Sequence, residues 1–277
     1  MSFAGPVPGI PDAVIRVVGD LPAQLDHAEA AGPQTQARAG ALLLVVPGVG
    51  RFLVRDGMTI DLAVDPGADP GMVSLMLHGS ARGALIHQRG ELPLHAATLV
   101  PPGGSAAFAI CGPSGAGKST LAAALSRRGW TLVADDTTRV TWTGTEALAW
   151  PSRDSIKLWR DACETNGIDV AQLERVCAGM DKHYIRVPTR AEPVKLAAVI
   201  ELRIDSPHDS VPSRGAEKMA LLTRHTYRPA QIRPLGRVAD YVDIVAKVAG
   251  ACRFFFLGGA RARPVQALAD AVDAAVR

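Results

Sequence analysis

The chain has 277 residues, 48% hydrophobic and 21% charged, and a formal net charge of +3. That length and apolar content support one large or two modest globular domains, and so small a charge excludes a general nucleic-acid footprint. Cys111, Cys163, Cys177 and Cys252 stand far apart with no C-x-x-C pair, which argues against a zinc site or a disulfide framework and for reduced, buried thiols.

The amino-terminal stretch has no positive segment followed by a long apolar run, and nowhere does the sequence approach the roughly 20 apolar residues of a membrane span. The expectation is a soluble, cytoplasmic protein with no membrane partner. The first 35 or so residues, rich in Pro, Gly, Ala and Gln, are expected to be peripheral, with a short helix around Leu21 to Ala31. From Ala41 the runs ALLLVV and RFLVRDGMTIDLAV, separated by glycine turns, predict a small antiparallel sheet. Between Gly71 and Gln88 the apolar residues Val73, Met76, Leu77, Ala81 and Leu85 have helical spacing. Two apolar segments after Arg89-Gly90, LPLHAATLV and AAFAICG, predict a strand pair, and a domain boundary falls near residue 90. Downstream, the pattern predicts a helix over 119–128, strands at Trp130 to Ala134, Thr138 to Thr143 and Leu196 to Ile204, and closing helices over Tyr241 to Ala251 and Pro264 to Val276.

One motif dominates. Gly112-Pro113-Ser114-Gly115-Ala116-Gly117-Lys118-Ser119 satisfies every fixed position of G-x-x-x-x-G-K-[ST], with an apolar strand before it and a helix-forming run from Thr120 after it. Glycines permit backbone conformations in which several N–H groups converge on one phosphate, and the following helix adds its positive end. Lys118 supplies a point charge to the outer phosphates, and the Ser119 hydroxyl is placed to join a Mg²⁺ shell. The sequence thus points to ATP or a close relative and Mg²⁺ as cofactors.

Phosphoryl transfer needs a carboxylate for the metal and, for a hydroxyl acceptor, a second to orient or deprotonate it. Asp135 and Asp136 end an apolar strand one short helix beyond the loop. In a parallel sheet that strand would open on the loop's own edge. As strand neighbours the two would face opposite ways, one toward metal and the other toward acceptor.

The stretch Arg89 to Val140, with RGELPLHAATLV and then AICGPSGAGKSTLAAALSRRGWTLVADDTTRV, resembles the catalytic domain of bacterial HPr kinase/phosphorylase and its relatives. The resemblance implies an α/β fold: residues 91–277 form a phosphate-loop domain akin to phosphoenolpyruvate carboxykinase, and residues 1–90 a small α+β domain. It implies Asp135 as base toward a serine hydroxyl, Asp136 on the metal with Ser119, and His95 orienting the catalytic carboxylate. Arg233 and Arg237 match a loosened R-P-G-R-N-L-A segment. No counterpart of the E-I-R-G-L-G signature stands between Trp150 and Arg190, which counts against HPr as substrate and against a reverse phosphorylase activity; the amino-terminal part resembles a shorter set of kinase-like proteins, including those of lasso-peptide biosynthesis. What the resemblance implies is a homo-oligomeric, ATP- and Mg²⁺-dependent kinase acting on a serine of a peptide or small protein, such as the carboxyl terminus of a lasso-peptide precursor. An HPr-type carrier kinase, a small-molecule kinase and a nucleotide-binding regulatory protein without kinase activity stay open.

Three other features carry a functional and a structural reading. Lys218 to Ala239 holds basic residues and no acid, and Pro229 and Pro234 predict a loop there, either a basic lid that grips nucleotide phosphates or an acidic acceptor peptide, or a solvated basic face. Lys157 in SIKLW and the cations of DKHYIR would contact phosphate or acceptor on one reading, but solvation is the favoured one, and His78 and His87 are expected to be surface or packing residues.

Overall fold

The computed structural model describes residues 3–204, 206, 208–211 and 215–276. Two units emerge, one from Met1–Pro93, Arg175–Met180 and Tyr227–Ile244, the other from Leu94–Glu174, Asp181–Thr226 and Val245–Arg277. Both combine sheet and helix, so the protein is α/β. No helix among the described residues is long and apolar enough to cross a membrane.

The first unit is a seven-stranded sheet of β1 (Gly5–Val7), β2 (Ile10–Val17), β3 (Glu29–Gly32), β4 (Thr35–Arg38), β5 (Ala41–Val46), β6 (Gly50–Arg55) and β7 (Thr59–Val64), ordered β1-β2-β7-β6-β5-β4-β3. Its hairpins follow from turn chemistry. Asp56 and Gly57, both left-handed with φ 54° and 66°, close β6 onto β7. Helix α1 (Pro70–Met76) starts at Asp69, whose carboxylate accepts the Gly71 N–H, and runs through a π turn into α2 (Arg82–Gln88). The apolar stripe Val73, Leu77, Ala81 and Leu85 packs on Phe52, Ile60 and Leu62 of the sheet.

Two expectations fail here. The segment around Leu21 to Ala31 is not a helix but turns leading into β3, because Leu21 is drawn into a small core with Leu43 and Leu53 and His27 takes a left-handed φ of 55°. The amino-terminal third of this unit is not peripheral either. Ile10, Ala13 and Ile15 of β2 are core residues, and β2 runs parallel to β7, an alternation that Pro11-Asp12 hides in the sequence. Met1 and Ser2 lie outside the described residues.

The chain passes to the second unit within β8 (Leu92–Leu94). There follow β9 (Ala97–Val100), β10 (Ala106–Cys111), α3 (Lys118–Arg127), β11 (Thr131–Ala134), β12 (Thr138–Trp142), β13 (Ala147–Trp150), β14 (Ser155–Trp159), α4 (Arg160–Thr165), β15 (Lys182–Arg186), β16 (Val194–Leu202), α5 (Gly215–Arg224), α6 (Val238–Ala251), β17 (Arg253–Leu257) and α7 (Val265–Val276). The strands order as β11-β9-β10-β16-β13-β12, with β17 beside β16, while β14 and β15 form a separate ribbon.

The run AAFAIC of β10 is apolar throughout because both faces are covered, as expected of a strand with a parallel neighbour on β16. Beneath it, Leu121, Ala122 and Leu125 of α3 pack with Leu268 and Val272 of α7 and the fully buried Trp130, whose ring meets Phe108 edge-on at 6.0 Å. The expected parallel sheet is mixed. Strand β9 is antiparallel to both β10 and β11, so those two still run the same way and their carboxyl ends open on one edge.

Candidate active site

At that edge the loop after β10 turns into α3. Gly115 (φ 77°) and Gly117 (φ 89°) both occupy the left-handed region, which L side chains adopt only under strain, and Gly117 caps α3 with no side-chain bond to its first turn. The helix's leading N–H groups are therefore turned toward the loop. Lys118 folds back over it, donating to the carbonyl oxygens of Gly112 at 2.9 Å and Pro113 at 3.2 Å. Arg261, in the loop after β17, overhangs the same turn, a guanidinium nitrogen 3.7 Å from where a Gly115 Cβ would stand.

The loop forms one wall of a cavity of about 310 Å³ whose lining includes Ser114, Gly115, Gly117, Lys118, Ser119, Thr120, His95, Asp135, Asp136, Lys157, Trp159 and Lys182. Every one belongs to the second unit. Asp135 and Asp136 do not face apart as strand neighbours would. They lie just past β11, and Asp136 adopts φ 72°, a left-handed bend that turns both carboxylates into the same space.

Their environments differ. Asp135 accepts the Ser119 hydroxyl at 3.2 Å and the Lys157 backbone N–H at 2.9 Å, and burial together with the charge of Asp136 pushes its carboxyl up. For Asp136 burial acts in the same upward sense, but the Lys157 ammonium at 2.5 Å, with His95 and Lys182 behind it, overrides that and holds the carboxyl at about 2. Opposite Asp136 stands His95, Nδ1 to Oδ1 3.7 Å; burial and then the Lys118 charge bring the imidazole down to about 4, so it is neutral near pH 7. The His95 N–H donates to the His225 carbonyl at 2.7 Å, which anchors this turn between β8 and β9. Burial also lowers the Lys118 ammonium, while Lys157 is raised, its burial outweighed by Asp136 and Asp135.

Of the residues singled out from sequence, Ser114, Gly115, Gly117 to Thr120, Asp135, Asp136 and His95 meet at this cavity; Gly112 and Pro113 offer their carbonyls to Lys118, and Ala116 is buried beneath. Arg233 and Arg237 belong to the first unit, where Arg237 donates to Asp240 at 2.9 Å and to the Gln88 carbonyl. The basic stretch Lys218 to Ala239 is not one loop. Lys218 and Arg224 ride on α5, and Arg224 and His225 bind buried Glu201 at the end of β16. His87 is buried on the Tyr227 carbonyl at 2.8 Å, a packing role.

Sequence reasoning favoured solvation for Lys157 and Lys182, which line the cavity, and gave Trp159 no role. A signal was there. In SIKLW and KHYIR the charged or aromatic residues alternate with Ile, Leu and His, the period of a ribbon with one apolar and one polar face.

No family model and no curated protein matches the chain. Among solved structures, it is similar to the Hpr(Ser) kinase/phosphatase from Coxiella burnetii, with 20% identity over 39% of this chain and a TM-score of 0.27. The overlap spans 58% of that protein's length, less than two thirds.

Proposed function

We propose that the protein is an ATP- and Mg²⁺-dependent kinase that phosphorylates a serine hydroxyl of a peptide or small protein, the carboxyl-terminal serine of a lasso-peptide precursor being the acceptor its sequence resembles. One observation carries this reading: a phosphate-loop lysine and serine share a single cavity with two carboxylates of unlike environment. That is the constellation in-line transfer of a phosphoryl group requires, a cradle for the donor, a carboxylate for the metal and another for the acceptor.

The donor set fits Mg²⁺. Ser119 and Asp135 are hard oxygen ligands already in contact, and no cluster of three His, Cys, Asp or Glu among the described residues offers an all-protein cage. Magnesium is held in this way, by one or two side chains plus water and substrate phosphates. When bound, it neutralises charge on the phosphates.

The contact favours Ser119 with Asp135 as the metal pair and Asp136 toward the acceptor, the reverse of the division implied by the family resemblance. In this scheme Lys118 holds the outer phosphates and Asp136 orients the serine hydroxyl and receives its proton. The serine oxygen bonds to the γ-phosphorus as the bond to the β–γ bridging oxygen breaks, and ADP leaves. His95, neutral, keeps Asp136 aimed. The test is incubation with labelled ATP, Mg²⁺ and candidate precursor peptides or carrier proteins. A phosphoserine product supports the proposal; nucleotide binding with no phosphorylated acceptor would favour a regulatory protein instead.

A further inference from the structure

Residues of the β14–β15 ribbon line the same cavity as the phosphate loop, and the ribbon's register decides which side chains reach it. Leu158 pairs with His183 and Ile156 with Ile185, and all four are buried against the core beneath. Trp159 pairs with Lys182 and Lys157 with Tyr184, so these four share the opposite face. A slip of one residue would put the two lysines on opposite faces and bury one of them, which makes the arrangement a strong requirement of the fold.

The two lysines on that face are treated differently. Lys157 is matched by Asp136 at 2.5 Å. Lys182 is not; among the described residues no carboxylate comes within ion-pair distance, and its ammonium stands 5.5 Å from the ring centroid of Trp159. Covering the indole is not its task, because Trp159 remains 48% exposed. Asp135 and Asp136 act on it from a distance, but a half-buried cation with no carboxylate in contact is unfavourable unless an anion enters the space it faces, and the cation–π contact offsets only a fraction of that cost. Lys118, by contrast, is already satisfied in part by the loop carbonyls.

We infer that Lys182 is a ligand of the terminal phosphate of the bound nucleotide, meeting it from the ribbon while Lys118 meets it from the loop. This inference rests on reading the cavity as a nucleotide site. The terminal phosphate is singled out because Lys182 shares its wall with Lys157, the partner of Asp136, and so stands where donor and acceptor meet. Lys118 lies at the amino end of α3, where the loop gathers the phosphates nearer the nucleoside as well.

The experiment compares ATP and ADP affinity, by titration calorimetry with Mg²⁺, in wild type, Lys182→Gln and Lys182→Arg. Expected is a roughly tenfold loss of ATP affinity in Lys182→Gln with ADP affinity unchanged, as for one charge-assisted phosphate contact, and recovery of most of the loss in Lys182→Arg. Equal weakening of both nucleotides would mark a structural lysine and overturn the inference, as would unaltered binding of both. A wild type that binds neither nucleotide removes the reading of the cavity itself, a separate failure.

Discussion

Two carboxylate sites lie along the carboxyl edge of one sheet, one buried and one partly open, and they are built to opposite specifications. Glu201, registered beside Cys111 just ahead of the phosphate loop, accepts from Arg203 Nε at 2.8 Å, Arg224 Nε and NH2 at 3.0 and 2.8 Å, and His225 Nε2 at 2.6 Å. Its acceptor capacity is spent on neighbours. Asp135 accepts from the Ser119 hydroxyl and the Lys157 N–H, and Asp136 from the Lys157 ammonium, yet both also line a cavity shared with three lysines, of which Lys182 faces no carboxylate at ion-pair distance among the described residues. Proximity to the loop is common to both; what differs is whether the charges are closed among themselves. A closed cluster fixes the fold, whereas an open one has interactions left for a ligand.

The largest break of that contrast comes at Lys118. Replacing it by Ala removes the point charge at the open site, and we expect turnover with ATP to fall by about 10³-fold while thermal stability changes little, since its present bonds are only to loop carbonyls. Turnover and Tm of the same preparation check this. A large loss of Tm would mean that the lysine closes a structural cluster after all.

Next in size is the division between the aspartates. Asp136→Asn should lower transfer by roughly 10²-fold or more with nucleotide affinity intact, as for loss of an acceptor-orienting group. Asp135→Asn should weaken Mg²⁺-dependent nucleotide binding itself, through its tie to Ser119. Paired calorimetry and single-turnover assays read both, and the opposite pattern would restore the division implied by the family resemblance.

The legibility of these two sites from sequence was unequal for a physical reason. The phosphate loop is contiguous, its glycines and lysine are dictated by local geometry, and β10 and α3 announce themselves by pattern, so the loop's surroundings could be read directly. The aspartates could be located because they end a strand, but not aimed, since the left-handed turn at Asp136 is not encoded in any short pattern. Lys157 and Lys182 reach the cavity only through the pairing of β14 with β15, whose lysines are 25 residues apart and whose register no local signal sets. Glu201 was invisible for the same reason, because its partners come from the far end of α5. In the first unit β2 was lost to Pro11-Asp12, which put Ile10 out of phase with the alternating buried pair Ala13 and Ile15.

The closed site should behave as structure. Its neighbours hold Glu201 down at about 2 from 4.5: burial opposes this, but the bonds from His225, Arg203 and Arg224 prevail. With the folded value below the unfolded one, the contribution is fully present above about pH 4.5 and fades as pH falls toward 2. Glu201→Gln should therefore cost about 2–3 kcal/mol in urea unfolding at pH 7, with a smaller difference from wild type at pH 3. Transfer activity should stay within a few-fold. A variant that folds normally yet loses phosphoryl transfer would show that the two sites are one.

The smallest effect is expected at the other end of the strand that carries Glu201, where Lys195 at the start of β16 meets Glu146 at 2.6 Å. The distance is as short as any at Glu201, but the side chains are 53% and 43% exposed and among the described residues the carboxylate has this single charged partner. Water competes for both ions, and ordering two long side chains consumes most of what the attraction supplies. Glu146→Gln keeps the chain length and the turn bond from the Thr143 N–H to the Glu146 carbonyl, so it isolates the charge. Unfolding free energy should shift by less than about 0.5 kcal/mol, and added salt should erase the shift. A loss near that of Glu201→Gln would mean that short distance alone sets the strength of a carboxylate contact in this sheet, and the distinction between closed and open sites would then lose its energetic basis.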